Sequence, residues 1–214
     1  MSDAGSDPQP FELAASAERQ HAPATLRNRE PIAEQLRTIL PDRGLILEIA
    51  SGSGEHAVYL AGQFPTLDWR PTDMSDAALA SIAAWRAENG RSNVLPPLRL
   101  DLTDTDWPVG QADAIFCANM THIAPWEATE GLFGGAGRVL ARGCPMVIYG
   151  PFIEADVPTS PSNLAFDENL KARNRLWGLR DVAALDDLAL ANGLSRQARV
   201  AMPANNLLLV YRRK

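Results

Sequence analysis

The chain has 214 residues, enough for one domain with a substantial core. Its apolar content of 46% and charged content of 21% are those of an ordinary globular protein, and its net charge of −6 argues against a nucleic-acid-binding surface. No segment approaches the roughly 20 apolar residues of a membrane span, and the N-terminus lacks the pattern of a signal peptide. We therefore predict a cytoplasmic protein with a small-molecule ligand. Nothing in the sequence indicates the oligomeric state.

The first 22 residues differ in composition from the rest of the chain. Residues 1–22 are rich in Ser, Asp, Ala, Gln and Pro and show no sustained period, which predicts a mobile leader. A single domain is predicted over residues 23–214. It begins with a helix in which Pro31 takes the first position and Ile32 and Leu36 share one face.

From residue 45 onward, short apolar runs alternate with helical patterns, which is typical of a buried parallel sheet. Five runs are predicted to be parallel strands: LILEI, LDWRPTD, PLRLDL, ADAIFCANM and PMVIYG. The last two runs, QARVAM and NNLLLVYRR, are joined too closely for a crossover, so they must form an antiparallel hairpin. The predicted fold is an open α/β sheet, mostly parallel, with helices on both faces.

Capping residues mark the ends of several predicted helices. Ser75 and Asp181 are suitable N-caps, and Gly143 is suited to end the helix before the fifth strand. Residues 151–180 break the alternation with three prolines and a mixed polar, aromatic and basic segment. We interpret them as an insertion with a short helix that acts as a lid.

The two cysteines predict buried free thiols and no metal site. Cys117 and Cys144 each lie inside or beside an apolar run, and they lack metal-ligand spacing. A metal cofactor is therefore not expected.

Acidic residues and glycines follow the predicted strands at their carboxyl ends, where ligands of such sheets bind. Glu48 and the turn ASGSG follow the first strand, and Asp73, Asp101 and Asn119 follow the next three. Carboxylates beside a glycine turn suit a ligand with positive charge and many donors better than they suit a phosphate. S-adenosylmethionine has these features, because it carries a ribose diol, an adenine amine, an α-ammonium group and a sulfonium.

The motif LEIASGSG, followed by Asp73 and Asp101 at the right strand ends, resembles the class I S-adenosylmethionine-dependent methyltransferases over roughly residues 40–150 and the terminal hairpin. A closer resemblance, to a methyltransferase-like family catalogued as a domain of unknown function, is carried by RNREPI, SGSGEH, WRPTD, NMTHIAPW and WGLRD. Together these resemblances imply a Rossmann-like seven-stranded fold. They also imply an enzyme that uses S-adenosylmethionine and releases S-adenosylhomocysteine.

The first resemblance implies cofactor-binding roles for residues at four strand ends. These are Glu48, Ala50, Ser51, Gly52, Gly54, Asp73, Asp101, Leu102 and Asn119. The glycines would let the backbone approach the methionine part, Asp73 would accept from the ribose diol, and Asp101 with the backbone of Leu102 would meet the adenine. Glu48 would hold the turn and the amino end of the cofactor, and its carboxylate is interpreted as facing a positively charged ligand. Ala50 departs from the family, which usually has glycine there.

Methyl transfer is an in-line displacement, so positioning supplies much of the catalysis, and a base is needed only if the acceptor must lose a proton. We expect Asn119 beside the transferable methyl and His122 as the candidate general base, with a purely structural histidine as the alternative. Candidate acceptor-binding residues lie on the first helix, the fifth strand and the insertion: Arg27, Asn28, Tyr149, Asp167, Trp177 and Arg180. Arg27, Arg175 and Arg180 suggest a small acidic metabolite.

Three other interpretations remain open. The stretch GSGEHA fits a nicotinamide-dependent dehydrogenase, although Glu48, Asp101 and the terminal hairpin argue against it. A catalytically inactive binding or adaptor protein with the same fold is the second, because Ala50 is unusual and no decisive base is present. The third is structural: Asp73 would cap a helix and Asp101 would close an Asx-turn.

Overall fold

The computed structural model describes residues 19–214. The helices are α1 (Pro23–Leu36), α2 (Glu55–Gln63), α3 (Asp76–Asn89), α4 (Trp126–Val139), α5 (Pro161–Arg173) and α6 (Val182–Ala191). The strands are β1 (Gly44–Ile49), β2 (Leu67–Asp73), β3 (Leu98–Arg99), β4 (Ala114–Ala118), β5 (Pro145–Gly150), β6 (Phe152–Ile153), β7 (Arg180–Asp181), β8 (Leu194–Met202) and β9 (Asn206–Arg213). Within this part of the chain, no helix is long and apolar enough to span a bilayer.

Seven of these strands form one sheet in the order β3-β2-β1-β4-β5-β9-β8. The first five are parallel to one another, whereas β9 pairs antiparallel with both β5 and β8. This arrangement confirms the predicted fold. The carboxyl ends of β1, β2 and β4 therefore meet at one edge of the sheet, on either side of the point where the strand order reverses.

Two hydrophobic cores cover the two faces of the sheet. Successive residues of β1 face opposite cores: Ile46 packs with Trp69 and Phe116 on the α1–α2 face, whereas Leu47 packs with the α4–α6 core. Cys117 is buried as predicted, but Cys144 is only partly buried, and both are free thiols.

Three details of the helices test the capping predictions. Ser75 and Asp181 do cap α3 and α6, each with its side chain accepting from a backbone amide. Pro31, predicted to begin the first helix, instead lies inside α1, and Pro23 takes the first position. Gly143 does not end α4: the helix stops at Val139, and Gly143 lies in the following turn with φ of +83°.

The predicted leader lies mostly outside the described residues. Its last four residues, 19–22, form a segment that we call the N-terminal strap, which lies against α3. Arg19 pairs with Glu88, and the indole of Trp85 donates to the carbonyl of Gln20 at 2.8 Å. The strap leads directly into α1.

The segment interpreted as an insertion, residues 151–180, contains one helix, as expected. It begins with β6, continues through α5, and ends at β7, which pairs in parallel with β6 to form a separate small sheet. Its helix is capped by Ser160, whose side chain accepts from the amide of Asn163. The segment is thus folded against the main sheet beyond the end of β5.

Candidate cofactor and acceptor site

The turn after β1 has an unusual backbone. Ala50, Gly52 and Gly54 have φ values of +51°, +56° and +86°, all in the left-handed region. For Gly this is ordinary, but for Ala it costs about 1–2 kcal/mol. Ala50 can therefore take the place of the family glycine only with strain. The turn is held to β2 by a hydrogen bond of 2.8 Å from the amide of Ser51 to the carbonyl of Thr72.

The two glycines of the turn have different surroundings. A Cβ on Gly54 would lie 2.8 Å from the Cα of Ile82, so this glycine allows α2 and α3 to approach. A Cβ on Gly52 would meet nothing within 4 Å, so open space lies over that residue. Gly54 therefore serves packing, whereas Gly52 leaves open space beside its backbone.

Asp73 joins the turn to the start of α3. Its Oδ2 accepts from the amide of Gly52 at 2.9 Å, and its Oδ1 accepts from the amide of Ser75 at 2.9 Å. Burial raises the pKa of Asp73 above its usual value, against the lowering effect of backbone hydrogen bonds from Ser75, Gly52 and Met74. A carboxylate can accept roughly four hydrogen bonds. These amides occupy some of the acceptor positions of Asp73, and the remaining positions can accept from a diol.

Glu48 does not point at the turn. It is 2% exposed, and its Oε2 accepts from the indole nitrogen of Trp69 at 2.5 Å, inside the α1–α2 core. Burial, opposed by the Trp69 hydrogen bond and assisted by the charge of Asp73, raises the pKa of Glu48 to about 8. The carboxylate therefore does not face a positively charged ligand as we expected, because its partner is the indole. Only its backbone holds the turn, through a hydrogen bond of 2.8 Å from Thr72 Oγ1 to its carbonyl.

Asp101 follows β3 and lies next in line after Asp73. Its Oδ1 accepts from both the amide and the hydroxyl of Thr103, at 2.9 and 2.8 Å, which is the Asx-turn that we left open. These hydrogen bonds lower the pKa of Asp101 below its usual value. Within residues 19–214, no hydrogen bond reaches its Oδ2. Leu102 is buried, and its carbonyl packs closely on Gly131 of α4.

Asn119 and His122 lie where β4 and β5 end. Asn119 has φ of +59°, and its amide donates to the carbonyl of Tyr149 at 2.8 Å. His122 is 4% exposed, and its Nδ1 has no hydrogen-bond partner among the described residues. A Cβ on Gly150 would lie 3.4 Å from this Nδ1 and 3.8 Å from Asn119 Oδ1, so both atoms border the same small space.

The protonation state of His122 bears on its predicted role. Burial and the nearby charge of Arg180 lower its pKa to about 3, so the imidazole is neutral near pH 7. An imidazole with such a pKa is a weak general base. In this geometry His122 is better suited to hydrogen bonding with an acceptor than to removing its proton.

Two predicted acceptor residues, Asn28 of α1 and Tyr149 of β5, lie together. Oδ1 of Asn28 lies 2.8 Å from Nε2 of His56, and burial raises the pKa of the Tyr149 phenol against the lowering effect of the Asn28 side chain. Arg27 is exposed, and its charge acts on the same phenol. The sequence did not indicate this contact of His56, because a contact between α1 and α2 leaves no local signal.

The remaining predicted acceptor residues hold the insertion in place. Arg180 donates through Nε to the carbonyl of Thr121 at 2.9 Å and through Nη2 to those of Ala124 at 2.6 Å and Leu176 at 3.0 Å. Three of its five N–H donors are thus engaged by backbone carbonyls, which leaves Nη1 as the part of the guanidinium that can meet an acidic acceptor.

Asp167 and Trp177 have similar local partners. Asp167 accepts from the amide of Leu179 at 2.8 Å and pairs with Lys171 at 2.5 Å. The ring of Trp177 lies 5.8 Å from the guanidinium of Arg173. These contacts place both residues in the framework of the insertion.

Ser81 of α3 is a site residue that the sequence did not indicate. Its hydroxyl donates to the carbonyl of Ser53 at 2.7 Å and accepts from the amide of Gln20 at 2.9 Å. A serine in the middle of a helix gives no sign of such a contact. It links the N-terminal strap to the turn after β1.

No ligand set for a metal is found among the described residues, where no group of three or more His, Cys, Asp or Glu side chains has a suitable arrangement. Instead, hydrogen-bonding groups follow neighbouring strands at this edge of the sheet. They are the carboxylate of Asp73, next to the open space over Gly52, and the unbonded Oδ2 of Asp101. This arrangement fits a ligand rich in hydroxyl and amino groups.

The fold is shared with solved methyltransferases. An O-methyltransferase family protein from Burkholderia thailandensis matches with a TM-score of 0.75 and 16% identity, over 89% of this chain and 57% of that one. A putative sarcosine dimethylglycine methyltransferase from Galdieria sulphuraria matches with a TM-score of 0.73 and 14% identity, over 89% and 87%. CalO1, a methyltransferase in calicheamicin biosynthesis in its SAH-bound form, matches with a TM-score of 0.74 and 15% identity, over 89% and 54%.

The chain thus spans little more than half the length of two of these three proteins. At such identities the likeness shows the fold, which is the Rossmann-like fold of the class I S-adenosylmethionine-dependent methyltransferases. The sequence model of the family described as "Protein of unknown function (DUF938)" matches residues 19–213, nearly all of the described chain. The chain therefore belongs to the DUF938 family, as the resemblance in its motifs implied.

Proposed function

We propose that this protein transfers a methyl group from S-adenosylmethionine to a small-molecule acceptor. The observation that supports this most directly is the hydrogen bond from the amide of Gly52 to the carboxylate of Asp73, next to the open space over Gly52. It places a carboxylate and a free backbone surface side by side at the point where the strand order reverses. Such a crevice is where open α/β sheets bind their ligands.

The residues present fit the cofactor. Gly52 would admit its methionine part, Asp73 would accept from its ribose hydroxyls, and Oδ2 of Asp101 would accept from its adenine amine. Leu102 would offer a backbone donor beside Asp101. Glu48 would act only through its backbone, since its carboxyl is bonded to Trp69. When bound, the cofactor would supply an electrophilic methyl on a positively charged sulfur.

The chain's own contribution would be mainly to position the acceptor. Asn119 and His122 border one small space at the ends of β4 and β5, and Tyr149 directly precedes Gly150 at the end of β5. With an imidazole of low pKa, proton removal would depend on an acceptor that is already acidic or anionic. Holding the nucleophile in line with the sulfonium is then the larger part of catalysis.

Calorimetric titration tests the proposal. S-adenosylmethionine and S-adenosylhomocysteine should bind saturably, and Asp73→Ala should weaken both by about 10- to 100-fold, the cost of one or two hydrogen bonds to a charged group. Asp76→Ala is the matched control, since Asp76 is an exposed aspartate in the first turn of α3 that pairs only with Arg99. Absence of binding, or equal loss in the two variants, would contradict the proposal. Binding of NAD alone would favour a dehydrogenase.

A second candidate is a protein that binds the cofactor without transferring its methyl group. The strained φ of Ala50 and the weak basicity of His122 favour it. A tight complex with S-adenosylhomocysteine, together with no consumption of S-adenosylmethionine by a panel of hydroxyl and carboxyl acceptors, would support this second candidate.

A further inference from the structure

The start of α2 is where the turn after β1 meets the N-terminal strap and α1. Glu55 is the first residue of α2 and directly follows Gly54, the last residue of the turn. Its side chain is buried, with 2% exposed. One carboxylate oxygen, Oε1, lies 3.5 Å from Nδ1 of His21 in the strap and 3.7 Å from Nη1 of Arg29 in α1. A single side chain of α2 thus faces both N-terminal elements.

These contacts satisfy the carboxylate of Glu55 only in part. Both distances are longer than the about 2.7–3.2 Å of a hydrogen bond. The other oxygen, Oε2, is buried and has no hydrogen-bond partner among residues 19–214. A buried carboxylate that lacks full hydrogen bonding is destabilising. A closer approach of the strap and α1 to Glu55 would therefore be favourable, because it would shorten both contacts.

The residues on either side of it in the chain connect to the same two elements. The carbonyl of Ser53 accepts from the hydroxyl of Ser81 at 2.7 Å, and that hydroxyl accepts from the amide of Gln20 in the strap at 2.9 Å. Nε2 of His56 lies 2.8 Å from Oδ1 of Asn28 in α1, and both side chains are buried. This short stretch of backbone therefore holds the strap and α1 at three points.

The same stretch continues directly from the part of the turn that borders open space. The amide of Glu55 donates to the hydroxyl of Ser53 at 3.4 Å, and the amide of Gly52 donates to Asp73 at 2.9 Å. A Cβ on Gly52 would meet no described atom within 4 Å. Because Gly52 and Glu55 are three residues apart, a ligand that fixes the backbone of Gly52 also restricts residues 53–56.

We propose that Glu55 is a positioning residue that couples the turn to the strap and α1. With the turn fixed by the cofactor, Glu55 would hold His21 and Arg29 more closely and so dock both elements. Since α1 carries Arg27 and Asn28, two candidate acceptor residues, the acceptor would meet a complete wall only after the cofactor has bound. The assignment rests on the proposed function for the identity of the ligand, whereas the contacts of Glu55 are a property of the protein alone.

Coupling of this kind is reciprocal. If S-adenosylhomocysteine favours the docked strap and α1 by a certain factor, the docked state favours S-adenosylhomocysteine by the same factor. A Glu55 that were merely structural would change the stability of the protein without linking these two quantities. The link between them is therefore the readout that distinguishes the two roles.

Hydrogen exchange with and without saturating S-adenosylhomocysteine measures the coupling. In the wild type, we expect the amides of residues 19–30 to exchange about 3- to 10-fold more slowly when the ligand is bound. Glu55→Gln keeps the size of the side chain but removes its charge, so the slowing should fall below about 2-fold. The affinity for S-adenosylhomocysteine should fall by the factor that the slowing loses. Full slowing in Glu55→Gln would overturn the proposal.

Glu88→Gln is the matched control. Glu88 lies on α3 and pairs with Arg19 of the strap at 2.9 Å, and its side chain is more than half exposed. Its loss should loosen the strap equally with and without ligand and leave the slowing in α1 intact. The same loss of slowing in Glu88→Gln as in Glu55→Gln would overturn the assignment to Glu55.

A second pair of variants tests the contact from the side of α1, and it decides the matter if Glu55→Gln does not fold. Arg29→Gln should lose most of the slowing in α1, and Arg29→Lys, which keeps the charge, should retain it. Full slowing in Arg29→Gln would overturn the proposal. Absence of S-adenosylhomocysteine binding to the wild type would overturn the cofactor proposal and this one, whereas binding without slower exchange would overturn the coupling alone.

Discussion

Two regions of the same sheet edge are held together by different means. The cofactor side, residues 50–54 with Asp73, is held by backbone amides that donate to carbonyl, hydroxyl and carboxylate oxygens of the turn and of β2. On the acceptor side, residues 174–180 are joined to residues 119–126 by the side chain of Arg180, which donates to the carbonyls of Thr121 and Ala124, and by one backbone hydrogen bond from the amide of Gly178 to the carbonyl of His122. The first arrangement is fixed by buried groups on β2 and α3. The second depends largely on one partly exposed side chain, so we expect the acceptor side to loosen at lower cost.

The largest effect is expected at the buried carboxyl of Glu48, which lies on β1 just before the cofactor side. Because the pKa of Glu48 is raised to about 8 in the folded protein, its contribution to stability is present at low pH and is lost as the pH rises from about 4.5 to about 8. Over this window the free energy of unfolding should fall by about 3–4 kcal/mol in the wild type relative to Glu48→Gln. Denaturant unfolding at several pH values measures the difference. The exposed Glu34→Gln should behave as wild type, and parallel pH profiles for Glu48→Gln and wild type would contradict the assignment.

The two glycines of the turn should respond differently to the same substitution. Gly54→Ala places a methyl 2.8 Å from the backbone of Ile82, and with its φ of +86° it should cost about 2–4 kcal/mol of stability. Gly52→Ala meets no neighbour and should cost only about 1 kcal/mol, yet it should weaken S-adenosylhomocysteine binding, because the methyl enters the open space. Thermal unfolding and calorimetry separate the two effects. Equal losses of stability would show that the two glycines have the same role.

Removing the hydrogen bonds of Arg180 on the acceptor side should not affect the cofactor side. Arg180→Met removes the three hydrogen bonds to carbonyls and should lower the free energy of unfolding by about 1–3 kcal/mol, with faster hydrogen exchange in residues 119–126 and 174–180. Affinity for S-adenosylhomocysteine should not change. The exposed Arg175→Met is the matched control and should alter neither quantity. A loss of cofactor affinity in Arg180→Met would mean that the two sides are coupled.

The smallest effect is expected where the N-terminal strap meets the turn. Ser81→Ala removes the hydroxyl that links Gln20 to Ser53 and should cost about 1 kcal/mol of stability, with a loss of S-adenosylhomocysteine affinity of a few-fold. Ser195→Ala in the terminal hairpin, far from the turn, controls for the loss of a serine hydroxyl. Unchanged affinity in Ser81→Ala would show that the strap does not support the turn.

The fold could be predicted from the sequence because it follows from repeating local signals. Alternating apolar runs, caps such as Ser75 and the short link before β9 each act within a few residues. The turn glycines and Asp73 were predictable for the same reason, since strand ends in a parallel sheet lie side by side.

What the sequence could not predict depends on contacts between distant elements. The partner of Glu48 is an indole on the neighbouring strand, and the partners of Arg180 are carbonyls far away in the chain. The left-handed φ of Ala50 is set by the turn as a whole, although its residue type favours other conformations. For Glu48 and Arg180 the residue type suggested a ligand contact, and the fold gave the side chain a partner within the protein.

The most direct test of the central claim is to follow the backbone amides by NMR while S-adenosylhomocysteine is added. The account predicts saturable shifts at Gly52, Asp73 and Leu102, with smaller changes in residues 174–180. Binding that shifts only amides away from the ends of β1, β2 and β3, or no binding at all, would contradict it.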